Sequence, residues 1–200
     1  MSARFWLILI LLVAGFLRLW NLSNFPAGFT PDEASFGYDA YSILKTGRDQ
    51  WGESLPLSFR SFGDFKAPLY TYLAIPSIAV FGLNEFAVRL PNAILGIMAV
   101  LVVYLLVVEL FKVTTTARLT SKESKPTLEV FLALFAALLL AVSPWHVSLS
   151  RGAFEANLTT FLMPLGVYAF LRGLVSHQWM AVAALAFGLN LFSYHSAKLV

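Results

Sequence analysis

Five long apolar stretches constrain the fold of this chain more than any other feature. They lie near residues 4–22, 88–111, 128–148, 154–174 and 179–197. A helix needs about 20 apolar residues to cross roughly 30 Å of bilayer hydrocarbon, and each stretch approaches that length. Only 12% of the residues are charged and the mean hydropathy is +0.74, whereas roughly a quarter of the residues in soluble domains are charged. The sequence therefore predicts an all-α, polytopic transmembrane helical bundle with five spans.

The absence of cysteine and the small net charge exclude several classes of function. With no cysteine, the chain has no disulfide framework, thiol chemistry or cysteine metal site. The net charge of +3 is concentrated on one predicted side of the membrane, so it indicates topology and not affinity for nucleic acid. We expect a multi-pass protein of the plasma membrane whose surroundings are lipid, with no nucleic-acid partner.

Basic residues predict how the chain is oriented. Arg4 precedes the first span, and the loop after the second span carries Lys112, Arg118, Lys122 and Lys125. Both segments should be cytoplasmic by the positive-inside rule, which requires an even number of crossings between them. The apolar stretch 67–83, which contains two prolines, should then be a surface-lying or re-entrant helix. Residues 23–87 become one external loop, and the polar motifs of the chain converge on the external face.

A short amphipathic helix is predicted inside this loop, from Thr30 to Gly47. Thr30 and Glu33 have the spacing of a capping box, Pro31 suits the first helical position, and Gly47 is a typical stop. An apolar stripe at helical spacing favours a helix that lies on the membrane surface; its members are Ala34, Tyr38, Tyr41 and Leu44.

Two adjacent carboxylates, Asp32 and Glu33, open this helix. Acidic residues are common in a first helical turn because they complement the helix dipole, so a purely structural role is the simplest alternative. Ionisable groups near a bilayer are costly, however, and tend to mark function. We predict that Asp32 is catalytic, with Glu33 as its catalytic neighbour.

Lys66 and Arg151 are the cations that best fit a phosphate on the same face. Lys66 beside Asp64 could form an ordinary surface ion pair or snorkel, or it could bind phosphate while Asp64 orients it. Arg151 could anchor the start of the fourth span through Glu155 at i+4, or its guanidinium could clamp a phosphate with paired hydrogen bonds. The sequence leaves both pairs of alternatives open.

Further donors are predicted on the external face, with no metal site. Lys198 is a third candidate for binding phosphate, and His146 and His195 are candidates for supporting hydrogen bonds. Neither histidine has a metal-binding spacing such as HExxH. Arg18, about one turn inside the outer end of the first span, is expected to snorkel or to face the bundle.

Taken together, these motifs resemble a known family. The segments DEA (32–34), FGDFKAPLYTYL (62–73), FGLNEFAVRLPNAILG (81–96), SPWHVSLSR (143–151) and YHSAK (194–198) occur in the order seen in the bacterial branch of the dolichyl-phosphate-mannose-protein mannosyltransferases. The chain is also similar to the related lipid A aminoarabinose transferases. The resemblance covers nearly all 200 residues.

This resemblance implies a fold, an activity and residue roles. The fold would be that of the C-type glycosyltransferases, which take a sugar from a polyprenyl-phosphate carrier on the external face and transfer it with inversion. Asp32 matches the proposed catalytic base of the family, with Glu33 its neighbour. Asp64 and Lys66 match the acidic residue and lysine of the second loop motif, the lysine lying near the carrier phosphate. Glu155 falls near a further acidic position of the family.

The sequence thus predicts a membrane glycosyltransferase that uses a polyprenyl-phosphate-linked sugar and a protein, lipid or glycan acceptor. It requires no cofactor, with a divalent cation left open. A transporter or flippase of lipid-linked sugars is the alternative, but its ionisable residues would lie near the bilayer midplane. A non-catalytic membrane subunit would leave the DE and DFK motifs unexplained. Because the chain stops at Val200 directly after YHSAKLV, we expect further spans beyond it.

Overall fold

The computed structural model describes residues 2–61, 63–117 and 126–194, which are mostly helical, as predicted. In chain order the elements are α1 (Ala3–Leu19), α2 (Pro31–Thr46), β1 (Phe59–Ser61), β2 (Asp64–Lys66), α3 (Leu69–Phe81), α4 (Glu85–Ala117), α5 (Pro126–Val142), α6 (Pro144–Arg151), α7 (Ala156–Gly173) and α8 (Gln178–Asn190).

Helix α4 is the centre of the fold. It packs against α1, α3, α5, α6 and α7, while α8 packs mainly on α7. One buried cluster joins α2, α3, α4 and α7 around Phe36, Tyr70 and Phe161. A second cluster joins α1, α4 and α5, and alanines such as Ala14 and Ala137 let these helices approach closely. The core therefore consists of helix contacts on α4.

Helix lengths only partly match the five predicted spans. Among the described residues, the segment Glu85–Lys112 of α4 is long and apolar enough to cross a membrane by itself. Leu128–Val142 and Pro144–Arg151 form a pair bent by 57°, which would supply a second span if both belong to one crossing. Helix α1 has 17 residues, α7 has 18 and α8 has 13. Five crossings therefore remain a prediction.

Two predicted spans, α4 and α7, meet at one buried carboxylate. Glu109 of α4 is buried, and its Oε2 lies 3.2 Å from Lys112 Nζ and 3.7 Å from Arg172 Nη1 of α7. Lys112 belongs to the predicted cytoplasmic loop, and the structure places Arg172 at the same end of the bundle. Arg118, Lys122 and Lys125 lie outside the described residues.

The stretch 67–83 forms α3, a helix of 13 residues that spans only about 20 Å at 1.5 Å per residue. This length is short of the hydrocarbon thickness and suits the predicted non-crossing helix. Two of its side chains bond to carbonyls of α4. Ser77 donates to Ala87 O at 2.6 Å, the carbonyl four residues before Pro91 that loses its helical partner because proline has no N–H. Tyr70 donates to Val88 O at 2.7 Å.

Arg18 faces the bundle, one of the two predicted alternatives. Its guanidinium is buried and donates to Ala141 O at 3.0 Å and Leu140 O at 3.3 Å, at the carboxyl end of α5. Pro144 interrupts the helix there, so these carbonyls lack backbone partners. The arginine therefore supplies hydrogen bonds to the last carbonyls of α5, at the break between α5 and α6. Its positive charge also lies at the negative end of the helix dipole.

Helix α2 confirms the predicted capping in detail. The Thr30 hydroxyl accepts from Glu33 N at 3.2 Å, Glu33 Oε2 accepts from Thr30 N at 2.9 Å, and Gly47 ends the helix at φ +72°. The side that packs on the bundle is centred on Phe36 and Ala40. Most of the predicted stripe does not pack on the bundle: Ala34, Tyr38 and Leu44 are exposed and Tyr41 is half-buried.

The all-α prediction needs one correction, because a short antiparallel ribbon follows α2. Strands β1 and β2 pair in the register Phe59↔Lys66, Arg60↔Phe65 and Ser61↔Asp64. Phe59 is buried and meets the Tyr72 ring, with centroids 5.7 Å apart. This contact fixes the ribbon on α3, and the ribbon in turn positions Lys66. Strands of three residues are too short to show a periodic pattern in the sequence.

Candidate active site

Asp32 and Lys66 form an ion pair between the start of α2 and the end of β2. Lys66 Nζ lies 2.8 Å from Asp32 Oδ1 and 3.5 Å from the Asp32 carbonyl oxygen. The two side chains differ in exposure, 61% for Asp32 and 9% for Lys66. The ammonium also lies 4.6 Å from the centre of the Phe36 ring, a cation–π contact. Lys66 is thus held in place while the carboxylate remains open to a ligand.

The pair lies in the wall of a cavity of about 460 Å³, which we call the Asp32 cavity. α2, β2 and the segment between α6 and α7 form its walls, with Tyr194 at one side. The lining residues are Asp32, Phe36, Asp64, Phe65, Lys66, Leu149, Ala153, Phe154, Glu155, Ala156 and Tyr194. The structure therefore brings four predicted site residues together: Asp32, Asp64, Lys66 and Glu155.

Glu33 has a different environment from its neighbour. Its carboxylate is fully buried and accepts from Arg89 Nε at 2.8 Å, Arg89 Nη2 at 3.2 Å and Ala153 N at 3.0 Å. Arg89 also donates to carbonyls of the loop before α2, namely those of Leu22, Ser23, Pro26 and Gly28. The Glu33–Arg89 pair thus joins α2, α4, that loop and the segment before α7.

Two opposing effects set the pKa of Glu33. Burial alone raises the pKa, but hydrogen bonds from Arg89, Thr30 N and Ala153 N and the Arg89 charge outweigh it, so the pKa lies below the ordinary 4.5. Glu33 is consequently ionised near neutral pH and saturated with donors. Its catalytic role stays a prediction, and the observed geometry suits a residue that positions the start of α2.

The sequence predicted that Arg151 begins the fourth span. In the structure it is instead the last residue of α6. Four residues, 152–155, separate it from α7, because the helix breaks at Gly152 and α7 begins at Ala156. Its guanidinium donates to carbonyls at the carboxyl end of α1 and just beyond: Leu17 O at 2.7 Å, Trp20 O at 2.8 Å and Phe25 O at 2.9 Å. Glu155 lies beyond this break and lines the Asp32 cavity. The prediction that Arg151 and Glu155 share one helix face was therefore wrong.

His146 is buried in a hydrogen-bonded chain away from the Asp32 cavity. Its Nδ1 lies 2.8 Å from Arg18 Nη2 and its Nε2 lies 3.2 Å from the Thr160 hydroxyl. Arginine can only donate, so Nδ1 accepts and Nε2 carries the proton. The chain continues through Asn157 to Asn92. The two remaining predicted donors, His195 and Lys198, lie outside the described residues.

No group of three metal-ligating side chains forms within residues 2–61, 63–117 and 126–194. Asp32 and Asp64 share the cavity, but Lys66 neutralises Asp32 at contact distance. The cofactor prediction stays a prediction.

Three residues at this site were not predicted from the sequence. Arg89 lies inside an apolar run, and this position alone indicates that the arginine has a buried partner. Phe36 follows Asp32 at i+4, which places it on the same side of α2. Tyr194 begins the YHSAK motif, in which the histidine and the lysine are the more obvious candidates for binding a phosphate.

Two comparisons with known proteins bear on this geometry. A family model described as dolichyl-phosphate-mannose-protein mannosyltransferase matches residues 65–121, a segment that holds Lys66, α3 and α4 but not Asp32. The crystal structure of the oligosaccharyltransferase from Archaeoglobus fulgidus in the apo form matches 98% of this chain, with a TM-score of 0.65 and 19% identity. No curated protein matches the chain.

The structural match establishes the fold. The chain has the helical architecture of part of that archaeal protein and spans about a quarter of its length, 24%. The family match adds that residues 65–121 are similar to the dolichyl-phosphate-mannose-protein mannosyltransferases.

Proposed function

We propose that the protein transfers a sugar from a polyprenyl-phosphate-linked donor to a protein, lipid or glycan acceptor at the external membrane face. The observation that carries the proposal is the Asp32–Lys66 pair, which combines an exposed carboxylate with a buried ammonium at 2.8 Å in the wall of a cavity. The name of the matched family, which specifies a dolichyl-phosphate-linked sugar and a protein acceptor, supports the same chemistry.

The reaction needs two groups with the properties of this pair. The acceptor hydroxyl attacks the anomeric carbon and loses its proton to a base, and the bond from that carbon to the phosphate oxygen breaks. Asp32 is exposed enough to reach a hydroxyl and serves as general base. The polyprenyl phosphate leaves with additional negative charge, which the Lys66 ammonium balances. Attack from the side opposite the phosphate inverts the anomeric configuration.

The supporting residues hold these two groups in position. The capping box and the Glu33–Arg89 pair fix the first turn of α2, and the ribbon fixes Lys66. Asp64 and Glu155 line the same cavity, and we propose that they contact the donor sugar or the acceptor. Phosphate-binding or supporting roles stay hypotheses for four further residues, Arg151, Lys198, His146 and His195. In the structure, Arg151 donates to Leu17 O and His146 contacts Arg18.

Asp32→Asn tests the base. The asparagine keeps the size of the side chain and can still contact Lys66, so the protein should fold and bind donor. Sugar transfer should fall by about 10²-fold or more, the scale of a lost general base. The measurement is transfer from polyprenyl-phosphate mannose and from the matching glucose donor by full-length protein in nanodiscs, together with donor binding. Glu53→Gln, an exposed acidic residue of the same loop, is the matched control and should transfer normally.

Lys66→Ala tests the donor contact. It should raise the donor concentration needed for half-maximal transfer, and Lys66→Arg should recover part of the loss because the charge survives. Unchanged donor dependence in Lys66→Ala would reduce Lys66 to an interfacial anchor. Near-normal transfer by Asp32→Asn with donor bound would move the search for the base to Asp64 and Glu155.

A further inference from the structure

A second cavity, of about 690 Å³, lies on the other side of α2 from the Asp32 cavity. Asp32 and Phe36 line the first cavity, whereas Ala34 and Tyr38 line the second. A shift of two residues is roughly 200° around an α-helix, so the two cavities flank opposite sides of the same helix. We call the second one the Trp51 cavity.

Aromatic rings from three separate segments meet in the Trp51 cavity. Phe29 comes from the loop before α2, Tyr38 from α2 and Trp51 from the loop that follows it. All three remain exposed, Trp51 at 56% and Tyr38 at 52%. Binding sites for small molecules are typically lined by such rings with a few polar groups.

Trp51 is fixed although most of it faces solvent. Its indole N–H donates to Arg60 O at 2.9 Å, and the Arg60 guanidinium lies 5.0 Å from the ring centre. Asp49 folds the loop beneath it by accepting from Trp51 N at 2.9 Å and Glu53 N at 2.8 Å. Fixing an exposed ring adds little to the stability of the protein. It does lower the entropy that is lost when a ligand stacks on the ring, because the ring is already ordered.

Polar groups of suitable type stand beside the rings. Arg60 supplies N–H donors, and Gln50 is fixed because its backbone N and side-chain Nε2 both donate to Asp39 at 3.2 Å. The polar atom of that amide not used by Asp39 is the carbonyl oxygen, an acceptor. Glu33 also borders the cavity, but Arg89 neutralises it. The cavity therefore presents rings, an acceptor and one cation.

We propose that the Trp51 cavity is a saccharide subsite that binds a neutral pyranose of a glycan acceptor. A pyranose has an apolar C–H face, which suits an aromatic ring, and a rim of hydroxyls, which suits a guanidinium and an amide. The cavity lies across α2 from Asp32, so a pyranose bound there is about one helix diameter, roughly 10 Å, from the proposed base, and the next sugar units of the same glycan would have to reach around α2 to Asp32. The acceptor role rests on the proposed function, whereas sugar binding itself does not.

The test measures sugar binding without transfer. Full-length protein in phosphatidylcholine nanodiscs is titrated with methyl α-mannoside, methyl β-glucoside and methyl β-galactoside, followed by saturation-transfer NMR. Alkyl-glycoside detergents are avoided because their sugar head groups would compete. At least one pyranoside should bind the wild type, and Trp51→Ala should weaken it roughly tenfold, the scale of a lost aromatic contact. Trp51→Phe should bind with intermediate affinity.

Trp145→Ala is the matched control. Trp145 is also an exposed tryptophan, at 65%, but lies on α6 and does not line the Trp51 cavity. It should bind pyranoside like the wild type. Thermal unfolding of each variant shows whether a loss of binding comes from a loss of fold; Tyr38→Ala provides a second, independent change in the same wall.

Two results would overturn the proposal: no pyranoside binds the folded wild type, or Trp51→Ala and Tyr38→Ala bind as well as it does. Lipid as the occupant would appear as quenching of Trp51 fluorescence by acyl-brominated phosphatidylcholine, measured as the difference between wild type and Trp51→Phe, without pyranoside binding. Pyranoside binding by a protein that transfers no sugar would leave the saccharide site intact and would remove the proposed function together with the acceptor role. Transfer without pyranoside binding would do the reverse.

Discussion

Asp32 and Glu33 are adjacent in the sequence, but each carboxylate pairs with a cation in a contrasting environment. The Glu33–Arg89 pair is completely buried and satisfied by further hydrogen bonds on both sides. The Asp32–Lys66 pair has a buried cation and an exposed anion. A buried ion pair stabilises the fold, because removing one partner leaves the other charge buried and uncompensated. In a half-exposed pair, the exposed carboxylate can exchange its cation for a substrate with little loss of free energy. The Glu33–Arg89 pair fixes the start of α2, whereas the Asp32–Lys66 pair leaves an exposed carboxylate in the cavity wall.

Arg89→Ala should have the largest effect on stability. It leaves the Glu33 carboxylate buried without its main partner, and the backbone carbonyls of the loop before α2 lose their hydrogen-bond donor. Breaking a buried ion pair in this way typically lowers the free energy of unfolding by about 3–5 kcal/mol. The measurement is thermal unfolding of the purified full-length protein. Wild-type stability of Arg89→Ala would show that the buried pair does not organise the site.

Acid should weaken the buried pair selectively. The pKa of Glu33 is below 4.5 in the folded protein, so its stabilising contribution is complete above that pH and is lost as the pH falls through the folded-state pKa. Glu33→Gln should therefore be less stable than the wild type near neutral pH, and the difference should shrink in acid.

Asp39 provides a control of opposite sign for this pH series. Burial raises the pKa of Asp39 above the ordinary 3.8, against the opposing effect of the Gln50 hydrogen bonds. A raised carboxyl pKa favours the fold at low pH, and that contribution is lost as the pH rises through the folded-state pKa. The stability of Asp39→Asn relative to wild type should thus improve with rising pH. Parallel trends for Glu33→Gln and Asp39→Asn would contradict the assigned environments.

Changing the side-chain length by one methylene should affect stability differently at Glu33 and at Asp32. Glu33→Asp shortens the side chain by one methylene and cannot reach Arg89, Thr30 N and Ala153 N together, which should cost about 1–3 kcal/mol. Asp32→Glu has open space and should change stability by less than about 0.5 kcal/mol, as expected for an exposed position. Equal losses in the two variants would mean that exposure does not distinguish the two positions.

Lys66→Ala should have a much smaller effect on stability than Arg89→Ala. Its partner Asp32 is 61% exposed, so loss of the pair should cost at most about 1 kcal/mol. The same variant should impair donor use strongly, as proposed above. A stability loss as large as that of Arg89→Ala would make the Asp32–Lys66 pair structural too.

Local signals in the sequence predicted α2 almost completely. Thr30, Pro31, Glu33 and Gly47 act within a few residues of one another, so their effect does not depend on the rest of the fold. The helical class, the helix in 67–83 and the presence of Asp32 and Lys66 in one site also followed from the sequence. The two strands did not, because six residues carry no periodicity that competes with a helix prediction.

Partner choice, by contrast, was decided by the tertiary structure. The sequence gives no sign that Glu33 pairs with Arg89, 56 positions away, or that Arg18 and Arg151 serve carbonyls left open at the ends of α5 and α1. An arginine donates to a phosphate and to a backbone carbonyl through the same N–H groups, so composition cannot distinguish the two. Only the packing of α1, α4 and α5 shows which carbonyls lack partners, and in an apolar environment those groups bind the nearest donor.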